Sequence, residues 1–380
     1  MRFLLETVRR ILTAALVIGL LACAAEVALR VSRWRNSLAN QSGVIPRQPS
    51  RVVGSELPAA WTGMGRDAES SQPISWRINS LSLRGPEVEI RKPAGSLRLI
   101  FLGDDQILAD GLPEEATCPG QLASRLTARS SQPIEVINAG LPGGCPLTEL
   151  IQYRRLLERL QPDLVLLHVD LNDAAEDLAA RRTLRTDAAG WPVAVVHPTL
   201  DATPGLLAEV SERFELGAVL ERRIGATLAE PKHRSLQDQF QQDLLAWSPR
   251  EGETAIPTAL EPIAQLKLLL DEQGTRLVVS TFPSAWQTAE LLRARQPSGG
   301  SNELLDRPAS VLTTACRSWR IDCVDVTPAV LQATDPARLY LPGGGSLSSA
   351  GQSLYADELV RALTSPSAVP AVSGQAGVTR

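Results

Sequence analysis

The chain has 380 residues, of which 44% are hydrophobic and 21% charged, and its formal net charge is −4. This composition excludes a chain that is disordered throughout, because it supplies enough apolar residues for a core. Nucleic-acid binding needs a concentrated face of Lys and Arg, and the sequence contains no such run, so we expect no nucleic-acid partner.

The first 35 residues predict a short cytoplasmic tip and a membrane anchor. An apolar run begins at Ile11 and ends at Leu29, with arginines on both sides. A helix over this run would be about 28 Å long, close to the hydrocarbon thickness of a bilayer. We expect an uncleaved anchor with the main domain outside the cytoplasm. A cleaved signal peptide and a lipoprotein site at Cys23 are the alternatives.

Residues 36–75 are rich in Ser, Pro, Gly and Arg and predict a stalk or loosely packed lead-in. Apolar strands and amphipathic helices then alternate: strands are expected at 97–102, 134–137, 164–169, 276–281 and 321–326, and helices at 118–128, 148–160, 262–273, 309–319 and 349–364. This alternation predicts a three-layer α/β/α sandwich around a parallel five-stranded sheet of the flavodoxin-like type. Residues 174–258 interrupt the pattern and predict a helical insertion or lid with a strand near 192–196. A disordered tail is expected at 365–380.

Polar and glycine-rich segments stand where these strands end, which is where parallel sheets bind ligands. They read G-D-D at 103–105, N-A-G at 138–140, D-L-N-D at 170–173 and L-P-G-G-G-S-L-S at 341–348. In order and spacing they resemble the four sequence blocks of the SGNH/GDSL hydrolases. The resemblance covers about residues 76–364, with the insertion poorly covered.

In that family the first block carries a nucleophilic serine, the second and third carry oxyanion donors, and the last carries Asp and His. Here Asp105 stands at the nucleophile position, Ser346 at the His position, and Gly343 or Gly344 at the Asp position, whereas the two donors, Gly140 and Asn172, are present. We therefore expect a pseudoenzyme that binds a glycan, an acyl ester or a partner protein. The alternative is an active ester hydrolase or O-acyltransferase whose rebuilt site uses Ser346 or a residue of the insertion.

Asp105 has two interpretations. Its carboxylate would accept hydrogen bonds from the Gly140 N–H and the Asn172 amide and so fill the oxyanion hole, or it is an ordinary helix-capping residue. His168 lies inside the third predicted strand, about 13 Å deeper than Asn172 at the usual rise, and is expected to be a core residue. His197 and His233 are expected to be solvated.

Two further sets of residues bear on metals and redox state. Asp104, Asp105, Asp110, Asp170 and Asp173 lie in converging loops and would suit Ca²⁺ or Mg²⁺, but they lack the spacing of a metal-binding loop, so we expect no metal and no cofactor. Cys118 with Cys145 and Cys316 with Cys323 are candidate disulfides in an oxidising compartment. Unpaired buried thiols are the alternative.

Overall fold

The computed structural model describes residues 2–39, 45–201, 214, 236–250, 252–296, 303–343 and 345–365. The chain divides into two compact units, Met1–Ser42 with Ala202–Arg234, and Gly43–Asp201 with Ser235–Arg380. In the first unit, helix α1 (Arg2–Ala39) contains the segment Glu6–Val31, which is long and apolar enough to cross a membrane. A secretion signal meets the same criteria of length and composition.

The second unit contains all the strands of the described residues. Four short strands precede the sheet and two form a hairpin within the insertion; in chain order the strands are β1 (Gln48–Pro49), β2 (Ser55–Glu56), β3 (Trp61–Arg66), β4 (Pro73–Ile78), β5 (Leu97–Gly103), β6 (Ile134–Gly140), β7 (Leu164–His168), β8 (Leu184–Thr186), β9 (Pro192–Val195), β10 (Arg276–Thr281) and β11 (Asp322–Asp325). The helices are α2 (Asp105–Leu108), α3 (Cys118–Thr127), α4 (Pro146–Gln152), α5 (Asp173–Ala180), α6 (Pro198–Asp201), α7 (Leu236–Leu245), α8 (Gly252–Glu272), α9 (Ala285–Ala294), α10 (Glu303–Ser318), α11 (Thr327–Gln332) and α12 (Ser349–Thr364).

The central sheet is parallel and has the strand order β6-β5-β7-β10-β11. Counted along the chain this is the order 2-1-3-4-5 of flavodoxin-like doubly wound folds. Alternate strand residues point to opposite faces. On one face Ile100, Leu102 and Val165 pack under α4, α8 and α10, and on the other Leu99, Phe101 and Leu166 pack under α3, α11 and α12. The predicted three-layer sandwich and all five sheet strands are confirmed.

The lead-in differs from the predicted stalk. From residue 45 on it is folded: Ile45, Leu57, Ile74 and Trp76 are buried in one cluster that also contains Leu108 of α2. The reason is the alternation of β4, in which every second side chain is buried against that cluster. This packing places Arg47 next to Asp105, two residues beyond the carboxyl end of β5.

Helix boundaries also differ. Helix α8 begins ten residues before the predicted 262 and contains Pro257 and Pro262, and α10 begins at Glu303. The helix predicted over 148–160 is α-helical only to Gln152 and continues as a π-turn and a 3₁₀-turn to Leu160. The strand predicted near 192–196 is present as β9, paired with β8. Most of 202–235 and all of 366–380 lie outside the described residues, and with them the middle of the predicted insertion and nearly all of the predicted tail.

Candidate functional site

The site lies where β5, β6 and β7 end. Gly103 and Gly140 are paired in register as the last residues of β5 and β6, and β7 ends beside them at His168. A crevice of about 230 Å³ opens here. Among the described residues, the crevice is lined by five acidic side chains and by no Lys or Arg: the acids are Asp104, Asp105, Asp170, Glu176 and Asp243. Trp286, 38% exposed, lies at the same crevice.

Asp104 and Asp105 have separate roles at the start of α2. The buried Asp104 caps this helix, because its Oδ1 accepts a hydrogen bond of 2.8 Å from the Gln106 N–H. The tight turn requires Gly103, since a Cβ there would lie 2.3 Å from Cγ1 of Ile107. Asp105 is then the first residue of α2, and it lines the crevice together with Asp104.

The Asp105 carboxylate has partners that the sequence did not predict. Its Oδ1 lies 2.7 Å from an Arg47 guanidinium nitrogen, and its Oδ2 accepts a 3.2 Å hydrogen bond from the Gly143 N–H. The same arginine lies 3.4 Å from Asp110. The expectation that Asp105 binds the Gly140 N–H and the Asn172 amide is wrong, because Arg47 from the folded lead-in draws the carboxylate away.

The two predicted oxyanion donors are occupied by other groups. The Gly140 N–H donates to Oδ1 of Asn138 at 3.0 Å. The Asn172 amide stabilises the ionised forms of Asp104 and Glu176 through side-chain hydrogen bonds. Gly140 itself is required at its position, since a Cβ would lie 2.3 Å from the Leu108 backbone nitrogen. The donors are therefore retained, but each already has an acceptor within the protein.

The last block is fixed to the first through Gln106. The Gln106 side chain accepts from the Leu347 N–H at 3.1 Å, and its amide donates to the Gly345 carbonyl at 3.3 Å. Ser346 accepts a backbone hydrogen bond from the Leu341 N–H, whereas its hydroxyl makes no hydrogen bond to the described residues. Gly343 has a φ of +101°, a turn conformation that favours glycine. Gly344 lies outside the described residues.

His168 lies closer to the site than predicted. Strand β7 ends at His168, so the chain turns at once and brings Asp170 back toward the ring, with Nε2 of His168 at 3.9 Å from Oδ2 of Asp170. The ring is 2% exposed, and Nδ1 is hydrogen-bonded to the Tyr355 hydroxyl at 2.8 Å. Burial lowers the pKa of His168 to about 3. The ring is thus a core residue, as expected, but the predicted depth is wrong.

The other two histidines take no part in this geometry. His197 is partly exposed, and its Nδ1 is hydrogen-bonded to the hydroxyl of Thr199 at 2.7 Å. His233 lies outside the described residues. Among the residues that the structure describes, no histidine lines the crevice, and His168 is buried beside Asp170, which does line it.

Several acidic side chains around the crevice have raised pKa values because they are buried. The pKa of Asp104 is raised to about 7 by burial and by the neighbouring Asp105 carboxylate, and the pKa of Glu176 is raised to about 8 by burial and by Asp104. Burial also raises the pKa values of Glu149, Asp170 and Asp173 well above their usual range. One oxygen each of Glu149 and Glu176 is buried without a hydrogen-bond partner. Such a cluster favours protonated acids or a bound cation.

The site predicted from the sequence did not include Arg47, Glu149 or Glu176. Glu176 follows Asn172 by one helical turn, and this spacing alone indicated that the two side chains share a face of α5. Glu149 lies in α4 and is 1% exposed, but an isolated acid in a helix gives no sign of burial. Arg47 precedes the sheet by fifty residues and carried no local signal.

The cysteines correct one predicted pair. All five thiols are free. Cys118 lies in the core cluster with Phe101 and Tyr355, and Cys145 lies in another with Leu141 and Leu147, so the predicted Cys118–Cys145 disulfide is wrong. Cys316 and Cys323 are in side-chain hydrogen-bond contact, and a bridge between them stays a prediction.

No protein-family model matches this chain, and no curated protein does. Among solved structures, TesA is similar over 70% of this chain and 98% of its own, at 13% identity and a TM-score of 0.38. A lipase/acylhydrolase from Enterococcus faecalis is similar over 70% of this chain and 95% of its own, at 12% sequence identity and a TM-score of 0.39. A catalytic mutant of an acetylxylan esterase from Geobacillus stearothermophilus is similar over 70% of this chain and 93% of its own, at 14% sequence identity and a TM-score of 0.39.

The class of fold follows from the topology and from where the motifs lie. A doubly wound sheet of order 2-1-3-4-5 carries the first three sequence blocks at the carboxyl ends of β5, β6 and β7 and the fourth just before α12. The chain therefore has a doubly wound α/β/α fold, and the order and position of the segments at its strand ends resemble those of the SGNH hydrolases.

Proposed function

We propose that this chain is a membrane-tethered protein of SGNH-hydrolase fold that no longer hydrolyses esters and instead binds a ligand in its crevice. Asp105 carries the proposal. The nucleophile position holds a carboxylate that is engaged by Arg47 at 2.7 Å and by the Gly143 N–H. A carboxylate in this setting is a poor replacement for an activated serine, because its acyl product would be an anhydride that needs a further hydrolytic step.

The base required for acyl transfer has no counterpart in the last block. Ser346 and Gly343 cannot accept a proton at neutral pH. The buried His168 faces Asp170 through Nε2, and its Nδ1 is held by Tyr355, so neither nitrogen is directed at a hydroxyl nucleophile of the crevice. These positions support the loss of the triad and not its replacement.

The lining of the crevice indicates the chemistry of the ligand. The described lining of the crevice has five acidic side chains, and the nearby Arg47 is already engaged by Asp105 and Asp110, so above the pKa values of Asp104 and Glu176, about 7 and about 8, the site would repel a phosphate or carboxylate ligand. Carboxylates accept hydrogen bonds from hydroxyl groups, and the exposed face of Trp286 offers an apolar platform beside them. An uncharged glycan meets both requirements, and an anionic acyl ligand does not.

The membrane part of the proposal depends on α1. Its apolar segment Glu6–Val31 would hold the chain in the bilayer, with the second unit on the outer side. Cell fractionation and protease treatment of intact spheroplasts test this arrangement. Recovery in the membrane fraction with an intact N-terminus is the expected result. Release after signal cleavage, or lipid attached to Cys23, would contradict an uncleaved anchor.

Hydrolysis of p-nitrophenyl acetate by the full-length protein in detergent micelles tests the loss of activity. We expect the rate of the protein-free blank and no labelling by a serine-reactive fluorophosphonate. Ser346→Ala is the diagnostic variant for the alternative. Turnover above the blank that disappears in Ser346→Ala would establish an active hydrolase with a rebuilt site.

Calorimetry with two oligosaccharides of matched length tests the ligand class. Neutral xylo-oligosaccharides should bind and oligogalacturonates should not. Trp286→Ala should weaken binding, whereas Trp191→Ala, which removes an indole stacked on Arg154 away from the crevice, should not. Equal binding of the two sugars, or equal effects of the two variants, would refute the assignment.

A further inference from the structure

Three side chains converge behind the crevice and offer metal-ligand atoms. Asp104, His168 and Asp170 each contribute one such atom, and all three atoms lie within 4.8 Å of one another. Nε2 of His168 and Oδ2 of Asp170 are 3.9 Å apart. This distance is too long for a hydrogen bond, but two ligands of one cation can be that far apart.

The orientation of His168 is fixed from the other side of its ring. Nδ1 contacts the Tyr355 hydroxyl at 2.8 Å, which contacts Oγ of Ser280 at 2.6 Å, and Ser280 Oγ lies 3.4 Å from the Leu167 carbonyl. When Nδ1 donates, every hydroxyl in this series has an acceptor, and the lone pair of Nε2 faces the two carboxylates. Metal-binding histidines are commonly oriented in this way by a hydrogen bond at the second ring nitrogen.

One oxygen of each carboxylate accepts a hydrogen bond from a backbone N–H. Oδ1 of Asp104 accepts from the Gln106 N–H at 2.8 Å, and Oδ1 of Asp170 accepts from the Asn172 N–H at 3.2 Å. The second oxygen of Asp170 faces the imidazole. The backbone therefore orients each acid before any cation binds.

An unpaired buried group points to a missing partner. Nε2 of His168 is fully buried and has no hydrogen-bond partner among the described residues. Oε2 of Glu176 in α5 is also buried without a hydrogen-bond partner among these residues. Burying such groups unpaired is costly, particularly next to carboxylates. A cation bound between His168, Asp104 and Asp170 would remove the cost of the orphaned nitrogen and offset the clustered negative charge.

We propose that Asp104, His168 and Asp170 form a binding site for a divalent transition-metal ion of the Zn²⁺ type. The imidazole selects against Ca²⁺ and Mg²⁺, which prefer oxygen ligands alone. Ligand atoms around tetrahedral zinc are about 3.5 Å apart, so the carboxylates would move inward by about 1 Å, within the reach of a side-chain rotation. The sequence led to the opposite expectation because it did not place His168 with the acids.

The inference is independent of the proposed loss of hydrolysis. It concerns metal binding alone, which is measured without any substrate. Zinc binding together with ester turnover would leave the site in place and refute the pseudoenzyme. A protein that neither hydrolyses esters nor binds zinc would leave the pseudoenzyme proposal in place and refute the metal site.

Zn²⁺ titration of the full-length, chelator-stripped protein tests the site. Calorimetry should give one ion per chain. Asp104→Asn and Asp170→Asn keep the side-chain shape and should each weaken binding by at least about 10–100-fold, and Tyr355→Phe should weaken it within that range by freeing the ring. Asp243→Asn is the matched control, because it removes a crevice carboxylate outside the trio, and should bind within about threefold of wild type.

A second measurement does not depend on the folding of those variants. The chain has three histidines. In a His197→Ala, His233→Ala double variant, His168 is the one remaining source of an imidazole nitrogen, so the electron paramagnetic resonance spectrum of the Cu²⁺-loaded protein should show nitrogen hyperfine coupling. A spectrum without this coupling, an absence of Zn²⁺ binding by wild type, or equal loss in Asp243→Asn and Asp170→Asn would overturn the proposal.

Discussion

Replacing Asp177 by Asn should remove a large part of the pH dependence of stability. The side chain is fully buried, and its Oδ1 accepts a 2.9 Å hydrogen bond from the Leu147 N–H at the start of α4. Burial raises its pKa from 3.8 to about 6. The folded state therefore holds this proton more tightly than the unfolded state. The stabilisation is complete below pH 3.8 and is lost as the pH rises through about 6.

The size of the effect follows from the shift. Such a difference corresponds to about 2.5 kcal/mol in the free energy of unfolding between pH 4 and pH 8. Asn keeps the acceptor for Leu147 but cannot ionise, so the variant should lack this loss. Urea unfolding of the full-length chain in detergent, with chelator present, at a series of pH values measures the difference. Asp187→Asn is the control, because the Trp191 N–H lowers the pKa of this exposed acid. Parallel pH profiles for wild type and Asp177→Asn would refute the argument.

Two further predictions concern a buried ion and a thiol pair. Arg98 is fully buried, and its guanidinium is bonded to Glu135 and to the carbonyls of Leu160 and Glu89. Arg98→Met should therefore lower the free energy of urea unfolding by about 3 kcal/mol, whereas Arg276→Met, at an exposed pair with Asp322, should lower it by less than about 1 kcal/mol. Equal losses of stability in the two variants would contradict this prediction. Mild oxidation should join Cys316 to Cys323 and leave Cys118 and Cys145 as thiols, which peptide mass mapping without reduction detects; a bridge involving Cys118 would contradict the described packing.

The sheet could be predicted from the sequence because its strands are continuous apolar runs that both faces bury. Leu97–Gly103 and Arg276–Thr281 illustrate this, since a run of that kind has no other stable place in a soluble domain. The lead-in was misjudged because its strands are short and half-exposed, so that Ile74 and Trp76 are separated by polar residues. Such a segment is ordered by its tertiary contacts and not by its own pattern.

The site was only partly predictable for a related reason. The motifs placed Asp105, Gly140 and Asn172 at the strand ends, because a parallel sheet brings these ends together whatever the side chains are. Which groups bond there depends on segments that arrive from elsewhere. Arg47 reaches Asp105 from the lead-in, and His168 reaches Asp170 because β7 ends one residue earlier than its apolar run suggests. Neither contact has a signature within a short window of sequence.

Restoring the family residues should not restore hydrolysis. In an Asp105→Ser, Ser346→His double variant, a nucleophile and a base would stand at the family positions, but the developing oxyanion would lie among Asp104, Asp170 and Glu176. In an assay at about pH 9, above the pKa values of Asp104 and Glu176 (about 7 and about 8), one ionised carboxylate about 5 Å away costs about 3 kcal/mol at an effective dielectric constant of about 20, or about a hundredfold in rate. The Gly140 N–H would still be engaged by Asn138. We therefore expect the p-nitrophenyl acetate rate of the double variant to stay at the blank. A hundredfold rise over wild type would refute the argument that the acidic residues of the site oppose an oxyanion.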